Sequence, residues 1–309
     1  MKGVIILPTV YKKLWQPKIT SKGLLDFSES VNALSPFWYS IQDTFNFEIR
    51  YADKVDVDSD TDIVLMFGVP YHNRPKMIPG LLNLDKKIKL IMWTGDIQCH
   101  ANEICRKGKL QVFNRCNLIV STSHEFFQKK YPQFMSKHYF MPKYFAPHEH
   151  YSNLKLNETP IMKCMVSGAA APKFYPLRNF LIKNGKGLIV RGKRFKGKSY
   201  ANLLHSYFCC ATSSSIYNYA LTKYYEIPAT GSLLIADESK DLKRVGFIPN
   251  KHYVPITKAN AIGKIKHCLE NPEDYMDIRK NGMKYVHENH SLKNRMLDLE
   301  KIFNTLLNS

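Results

Sequence analysis

The sequence predicts two α/β domains in series, each a Rossmann-like parallel sheet wrapped by helices, closed by a C-terminal helical segment. Three observations predict it. The chain has 309 residues, about twice the common single-core domain of roughly 100–150 residues. Short apolar runs alternate with amphipathic stretches through both halves, the pattern of βα units. Between the halves, residues 145–160 break that rhythm.

In the first half the strand-like runs are 2–7, 47–52, 63–67, 88–93, 117–121 and 138–141. They are too short for buried helices and rich in Ile, Val, Leu and aromatic residues. Amphipathic stretches at 75–84 and 124–131 supply helices between them. Residues 145–160 hold Pro147, His148, His150, Asn153, Asn157 and Pro160 with few apolar anchors. They read as a linker between domains 1–150 and 151–309. The second half restarts with a strand at 162–167, then Gly168-Ala169-Ala170-Ala171-Pro172 and a helix at 176–184. Gly185 and Gly187 punctuate the return to a strand at 188–191. Strands at 208–211, 231–236 and 252–255 and helices at 216–226 and 259–270 follow. Residues 272–308, with little Gly or Pro, form the closing helical segment.

The formal net charge is +19, and its distribution is informative. Residues 155–226 hold 12 Lys and Arg against only Glu158 and Glu226. Such a stretch attracts phosphate, on a nucleotide, a nucleic acid or an anionic membrane, unless it is simply a solvated face. No apolar run reaches the 18 residues of a membrane span; peripheral membrane contact stays open. The run at 4–7 is too short for a signal peptide. The 7 cysteines lack framework spacing and suit reduced thiols in a cytoplasmic protein.

The most specific text is Lys223-Tyr224-Tyr225-Glu226-Ile227-Pro228-Ala229-Thr230-Gly231-Ser232-Leu233-Leu234-Ile235-Ala236-Asp237. It resembles the signature of the group-1 glycosyltransferase C-terminal domain, in the subgroup related to the spore-maturation CgeB proteins. Val245-Gly246-Phe247, Tyr253-Val254-Pro255 and Arg279-Lys280-Asn281-Gly282 agree with it downstream. Ser167-Gly168-Ala169 with Tyr175-Pro176-Leu177-Arg178 agree upstream. The resemblance spans about 160–305 and is weak before 150. It implies the GT-B fold, two Rossmann-like domains facing a cleft, with acceptor bound by the first and a UDP- or GDP-sugar donor by the second. It also implies roles. Glu226 would accept hydrogen bonds from the donor ribose, Arg178 and Lys223 would hold the diphosphate, and Gly168 would let backbone approach it. Arg191, Lys193 and Arg194 are donor-site candidates from charge alone. The alternative for Glu226 is an ion pair with a neighbouring Lys, and for Arg191 to Arg194 a solvated turn. Retaining members carry a second Glu eight residues before the first; here that position is Asn218, which favours inversion.

Three other patterns bear on chemistry. Asp56-Val57-Asp58-Ser59-Asp60-Thr61-Asp62 repeats a metal-binding Asp-x-Asp pattern, but the acids precede a strand rather than follow one and read as a solvated loop. His148-Glu149-His150 lacks further ligands at metal-site spacing. Asp96, just past the strand at 88–93, stands where catalytic groups collect in such sheets; it resembles the N-domain acid of related transferases, with a helix N-cap as the alternative. His72, past the strand at 63–67, is the second catalytic candidate. The expectation is a metal-independent glycosyltransferase needing no cofactor beyond its nucleotide-sugar. Two rivals remain: a basic nucleic-acid-binding protein, for which no recognition motif is present, and an inactive transferase-like scaffold. Neither the sugar nor the acceptor is legible.

Overall fold

A computed structural model describes the chain apart from residues 10–11, 13–16, 20–24, 27–33, 53, 69–76, 95–102, 147, 193–194, 196 and 309. The chain divides into two compact units. One comprises Met1–Leu25, Leu34–Met141 and Arg295–Ser309; the other is built on Pro142–Asn294.

The first unit is a six-stranded parallel sheet. Its strands are β1 (Gly3–Leu7), β4 (Glu48–Tyr51), β5 (Ile63–Phe67), β6 (Lys89–Trp93), β7 (Leu118–Ser121) and β8 (His138–Phe140), ordered β4-β1-β5-β6-β7-β8. A two-stranded ribbon, β2 (Lys18–Ile19) with β3 (Leu25–Asp26), stands apart from it. The central strands β1 and β5 are buried at every residue, as a parallel sheet covered on both faces requires. The edge strand β4 is exposed or half-exposed throughout, which is why its sequence, Glu-Ile-Arg-Tyr, is more polar. Helix α1 (Leu34–Phe45) buries Phe37 and Trp38 completely, packing them on Trp93 at ring distances of 4.6 and 5.8 Å. The opposite face joins Val4, Ile6, Val64 and Met92 to Val112 and Phe113. These two belong to α3 (Glu103–Arg115), which follows the short α2 (Met77–Leu82) and precedes α4 (His124–Lys130).

The second unit is a five-stranded parallel sheet of β9 (Ile161–Val166), β10 (Ile189–Arg191), β11 (Tyr207–Thr212), β12 (Leu233–Ala236) and β13 (Val254–Pro255). The order is β10-β9-β11-β12-β13. The chain winds outward in both directions from β9, so the winding reverses between β9 and β11. Helices α5 (Pro176–Asn184), α6 (Gly197–His205), α7 (Lys223–Ala229), α8 (Lys240–Arg244), α9 (Ala261–Glu270) and α10 (Met276–Asn289) follow in turn. The core joins Cys164, Val166, Cys209, Leu233, Ile235 and Val254 of the sheet to Leu181 and Ile265 of α5 and α9.

Several sequence expectations are corrected. Residues 216–222 are not helical. Asn218 has φ 55, Ser215 Oγ accepts Tyr217 N at 3.2 Å, and these turn bonds postpone the helix until Lys223. Residues 145–160 are not an exposed linker. Phe145 and Tyr151 are buried, their rings 5.2 Å apart, and Asn157 Nδ2 donates to His205 O at 3.1 Å. His150 is 5% exposed. The C-terminal stretch is helical as expected, divided between α10 and a further helix. Ser291 stops α10, and its N and Oγ pair with Asn294 to start α11 (Leu292–Leu307). From Arg295 onward α11 belongs to the first unit, where Phe303 stacks on Phe47 at 5.2 Å. Helices α1, α6 and α8 were not foreseen.

Candidate active site

A buried cluster of ionisable groups lies in the second unit, at the carboxyl ends of β9, β11 and β12. In doubly wound sheets, ligands bind beyond the carboxyl ends where the winding reverses, here between β9 and β11. After β9 the chain turns at Ser167 and Gly168, whose φ of +86 belongs to the left-handed region that a β-carbon disfavours. A β-carbon at Gly168 would lie 2.9 Å from Lys223 Cε, 3.2 Å from its Nζ and 3.5 Å from Arg178 Nη1. Residue 168 is thus glycine for two reasons, and both cations border the space beside it.

Arg178, in the first turn of α5, is only 2% exposed. It spans the reversal point. Its Nη1 donates to Ala169 O, after β9, at 2.6 Å. Its Nη2 donates to Thr212 Oγ1 at 3.1 Å and Ser213 O at 3.0 Å, at the end of β11. The guanidinium stacks on Tyr175, 4.3 Å from the ring centre, and its buried Nε has no hydrogen-bond partner. Every acceptor it has is a neutral oxygen, and among the described residues it forms no ion pair. Burial lowers its pKa, opposed by Tyr175, Tyr224, Tyr200 and Asp237.

Lys223 opens α7, with Nζ 5.5 Å from the centre of the Tyr200 ring. Tyr200 is held in turn by Ser167, their hydroxyls 2.8 Å apart. Burial lowers the Lys223 pKa; Glu226 opposes the shift, while Arg178 and Lys143 add to it. Glu226 follows three residues later, on the same side of the helix. Burial raises its pKa, and Lys223 and Lys143 pull it back. Both side chains remain partly accessible, and neither makes a hydrogen bond or ion pair with the described residues. The alternative reading of Glu226, an ion pair with a neighbouring Lys, finds no bonded pair among the described residues; Lys223 and Lys143 act on it only through their field. Burying charge is costly unless a counter-charge or hydrogen bonds compensate it, so Arg178 without an ion pair, beside Lys223 and Glu226 whose side chains bond none of the described residues, forms a site prepared for a polar ligand.

Asp237, directly after β12, ties the cluster together. It accepts Ser214 N at 2.7 Å, Ser214 Oγ at 2.6 Å and the Tyr224 hydroxyl. Burial raises its pKa and these donors oppose the rise. The sequence offered Asp237 and Tyr175 only as parts of motifs, and Tyr200, Ser214 and Lys143 were missed. A signal did exist in the hydroxyl run from Thr212 to Ser215, which follows a buried strand.

The remaining candidates fall elsewhere. Arg191 ends β10 in register with Val166, at the same edge of the sheet, but its side chain is exposed and unbonded to described residues. Asp96, His72, Lys193 and Arg194 lie outside the described residues. The acidic run sits at the amino ends of β1 and β5. There Lys2 Nζ reaches Asp58 at 2.9 Å and Asp60 at 2.7 Å, its N bonds Asp62, and Arg50 also reaches Asp58. Among the described residues no three His, Cys, Asp or Glu side chains converge as metal ligands. Nor is any described helix long and apolar enough to cross a membrane.

Two parallel doubly wound sheets and a polar cluster at the reversal point of the second define the GT-B fold, the architecture of a large class of glycosyltransferases. Within it, residues 148–301 match the model of a family described as glycosyl transferase-like. Solved structures agree over the full length. A glycosyltransferase from Rickettsia africae superposes with TM-score 0.59 at 12% identity, covering 99% of this chain and 98% of the other. HepE of Anabaena, in complex with UDP and glucose, gives 0.59 at 8%, covering 99% and 100%. Sucrose-phosphate synthase of Thermosynechococcus elongatus gives 0.57 at 10%, covering 99% of both chains. No curated protein sequence matches at a significant level.

Proposed function

We propose that the protein is a glycosyltransferase that moves a sugar from a UDP- or GDP-sugar to a glycan or other hydroxyl acceptor, without metal and with inversion. The observation that carries this is the pair Arg178 and Lys223, two cations with no ion-pair partner among the described residues, meeting beside Gly168 where the winding of the sheet reverses. They take the diphosphate. Glu226, a carboxylate with no donor among the described residues, accepts the two ribose hydroxyls. HepE has also been crystallised with UDP-glucose, a donor of this class.

The chemistry follows from that placement. The acceptor hydroxyl oxygen bonds to the anomeric carbon as the bond from that carbon to the diphosphate breaks. The leaving diphosphate gains negative charge, which fixed cations in a desolvated site stabilise more than water does. The hydroxyl proton passes to a base on the first unit, the acceptor-binding one; Asp96 is the first candidate and His72 the second. Asn218 stands where retaining relatives have a Glu and adopts φ 55, a backbone that favours Asn over other side chains. That supports a mechanism with no carboxylate there. We place the second unit in the CgeB-like subgroup, a reading that the text of residues 223–237 supports. The scattered thiols, five of them free and buried among the described residues, fit a reducing cytoplasm.

The test is a thermal-shift screen of UDP-, GDP-, CMP- and TDP-sugars. A donor at about 100 times its Kd stabilises by roughly 2.7 kcal/mol. One nucleotide class should raise Tm in the wild type and not in Arg178→Ala. No response to any nucleotide-sugar would overturn the reading.

A further inference from the structure

The cations of the candidate site sit on different elements, Arg178 on α5 and Lys223 with Glu226 on α7, and something must hold these in register. β11 and β12 end side by side, Thr212 paired with Ala236. The chain leaving β11 supplies Ser213 O to Arg178 at 3.0 Å. Its next residue, Ser214, gives both N and Oγ to Asp237. The chain entering α7 gives the hydroxyl of the fully buried Tyr224 to the same carboxylate. Tyr224 adjoins Lys223 and lies two residues before Glu226. Asp237 forms no ion pair among the described residues; it accepts three hydrogen bonds, and its charge reaches Arg178 only through the field.

We propose that Asp237 is a positioning residue for the anion site: through Ser214 and Tyr224 it locks the loop after β11, which holds Arg178 by Ser213 O, and the Lys223–Glu226 helix into one arrangement. The role rests on the donor-site reading above. Removing the carboxylate strands a buried backbone N–H and a buried phenol, which then find other partners and let the two elements part.

Calorimetry separates this from a merely structural role. The readout is the ratio of affinities for nucleoside diphosphate and nucleoside, UDP against uridine or GDP against guanosine, with inorganic pyrophosphate as a second probe. In Asp237→Ala that ratio should fall on the order of 10- to 100-fold, the scale of lost hydrogen bonds to charged groups. Tyr224→Phe, which removes one hydroxyl and no volume, should lower it several-fold even where Asp237→Ala fails to fold. Asp237→Asn recovers most of the ratio, because its Oδ1 still accepts Ser214 N and Tyr224 while its amide donates to Ser214 Oγ. Folded Asp237→Ala and Tyr224→Phe proteins with the wild-type ratio would overturn the proposal and leave the anion site standing. A wild-type protein that binds neither UDP, GDP nor pyrophosphate removes the site and this role together.

Discussion

Replacing Gly168 by Ala separates backbone strain from anion binding, because the chain carries its own control. Gly168 and Gly187 have nearly the same positive φ, +86 and +84, so an alanine at either meets the same left-handed penalty, about 1–2 kcal/mol. They differ in surroundings. A β-carbon at Gly187 meets nothing within 4 Å, whereas at Gly168 it lies 2.9 Å from Lys223 Cε and 3.5 Å from Arg178 Nη1. Lys223 is the long, flexible partner and gives way first. Steric relief is therefore cheap in stability, and both variants should lose about the same amount. Each 1 kcal/mol lowers Tm by about 2–4 °C in a unit of this size. The difference appears in binding. Gly168→Ala displaces the Lys223 ammonium and fills the space beside Arg178, costing about 1.5–3 kcal/mol of diphosphate affinity, one charge-assisted hydrogen bond. Gly187→Ala leaves affinity near wild type. Denaturation and calorimetry with the cognate nucleoside diphosphate and nucleoside measure both terms. Equal diphosphate affinity in the two variants would refute the assignment of Lys223 and Arg178 to the phosphates.

Other outcomes follow from the same geometry. Glu226→Ala should weaken nucleotide affinity by about 1.5–3 kcal/mol with little change in fold, measured by calorimetry. Because burial raises the Glu226 pKa above its ordinary 4.5, acidification protonates it early. Nucleoside affinity should thus fall as pH drops, from above 4.5, and Glu226→Gln should flatten that dependence; a pH-independent wild type contradicts the ribose role. Transfer in excess EDTA should equal transfer with Mg²⁺ or Mn²⁺, and a strict metal requirement would return attention to Asp58 and Asp60. Asp96→Asn should keep donor affinity while the transfer rate falls about 10²–10⁴-fold; more than a tenth of wild-type rate would make Asp96 a helix cap and His72 the next residue to replace.

What the sequence determined by itself was the periodic part. The runs at 63–67 and 118–121 are strands because a parallel sheet buried on both faces needs unbroken apolar text, and that text is local. Helix α5 was legible at both ends because Pro176 opens it and Gly185 ends it. Gly168, Arg178, Lys223 and Glu226 were nameable because a motif carries them. What only the tertiary structure decided was non-local or polar. The stretch 145–160 reads as a linker residue by residue, yet Phe145 and Tyr151 find a hydrophobic surface that no local pattern announces. The expected helix at 216–226 yields to hydroxyl and Asn turn bonds that compete with helical ones. Position 168 met Lys223, 55 residues away, only once β9 lay against β11. Asp237 could not be ranked above any other strand-end acid until Ser214 and Tyr224, brought in by two different elements, were seen to share it. Hydrophobic periodicity is written along the chain, but the partner of a buried charge is chosen by the fold.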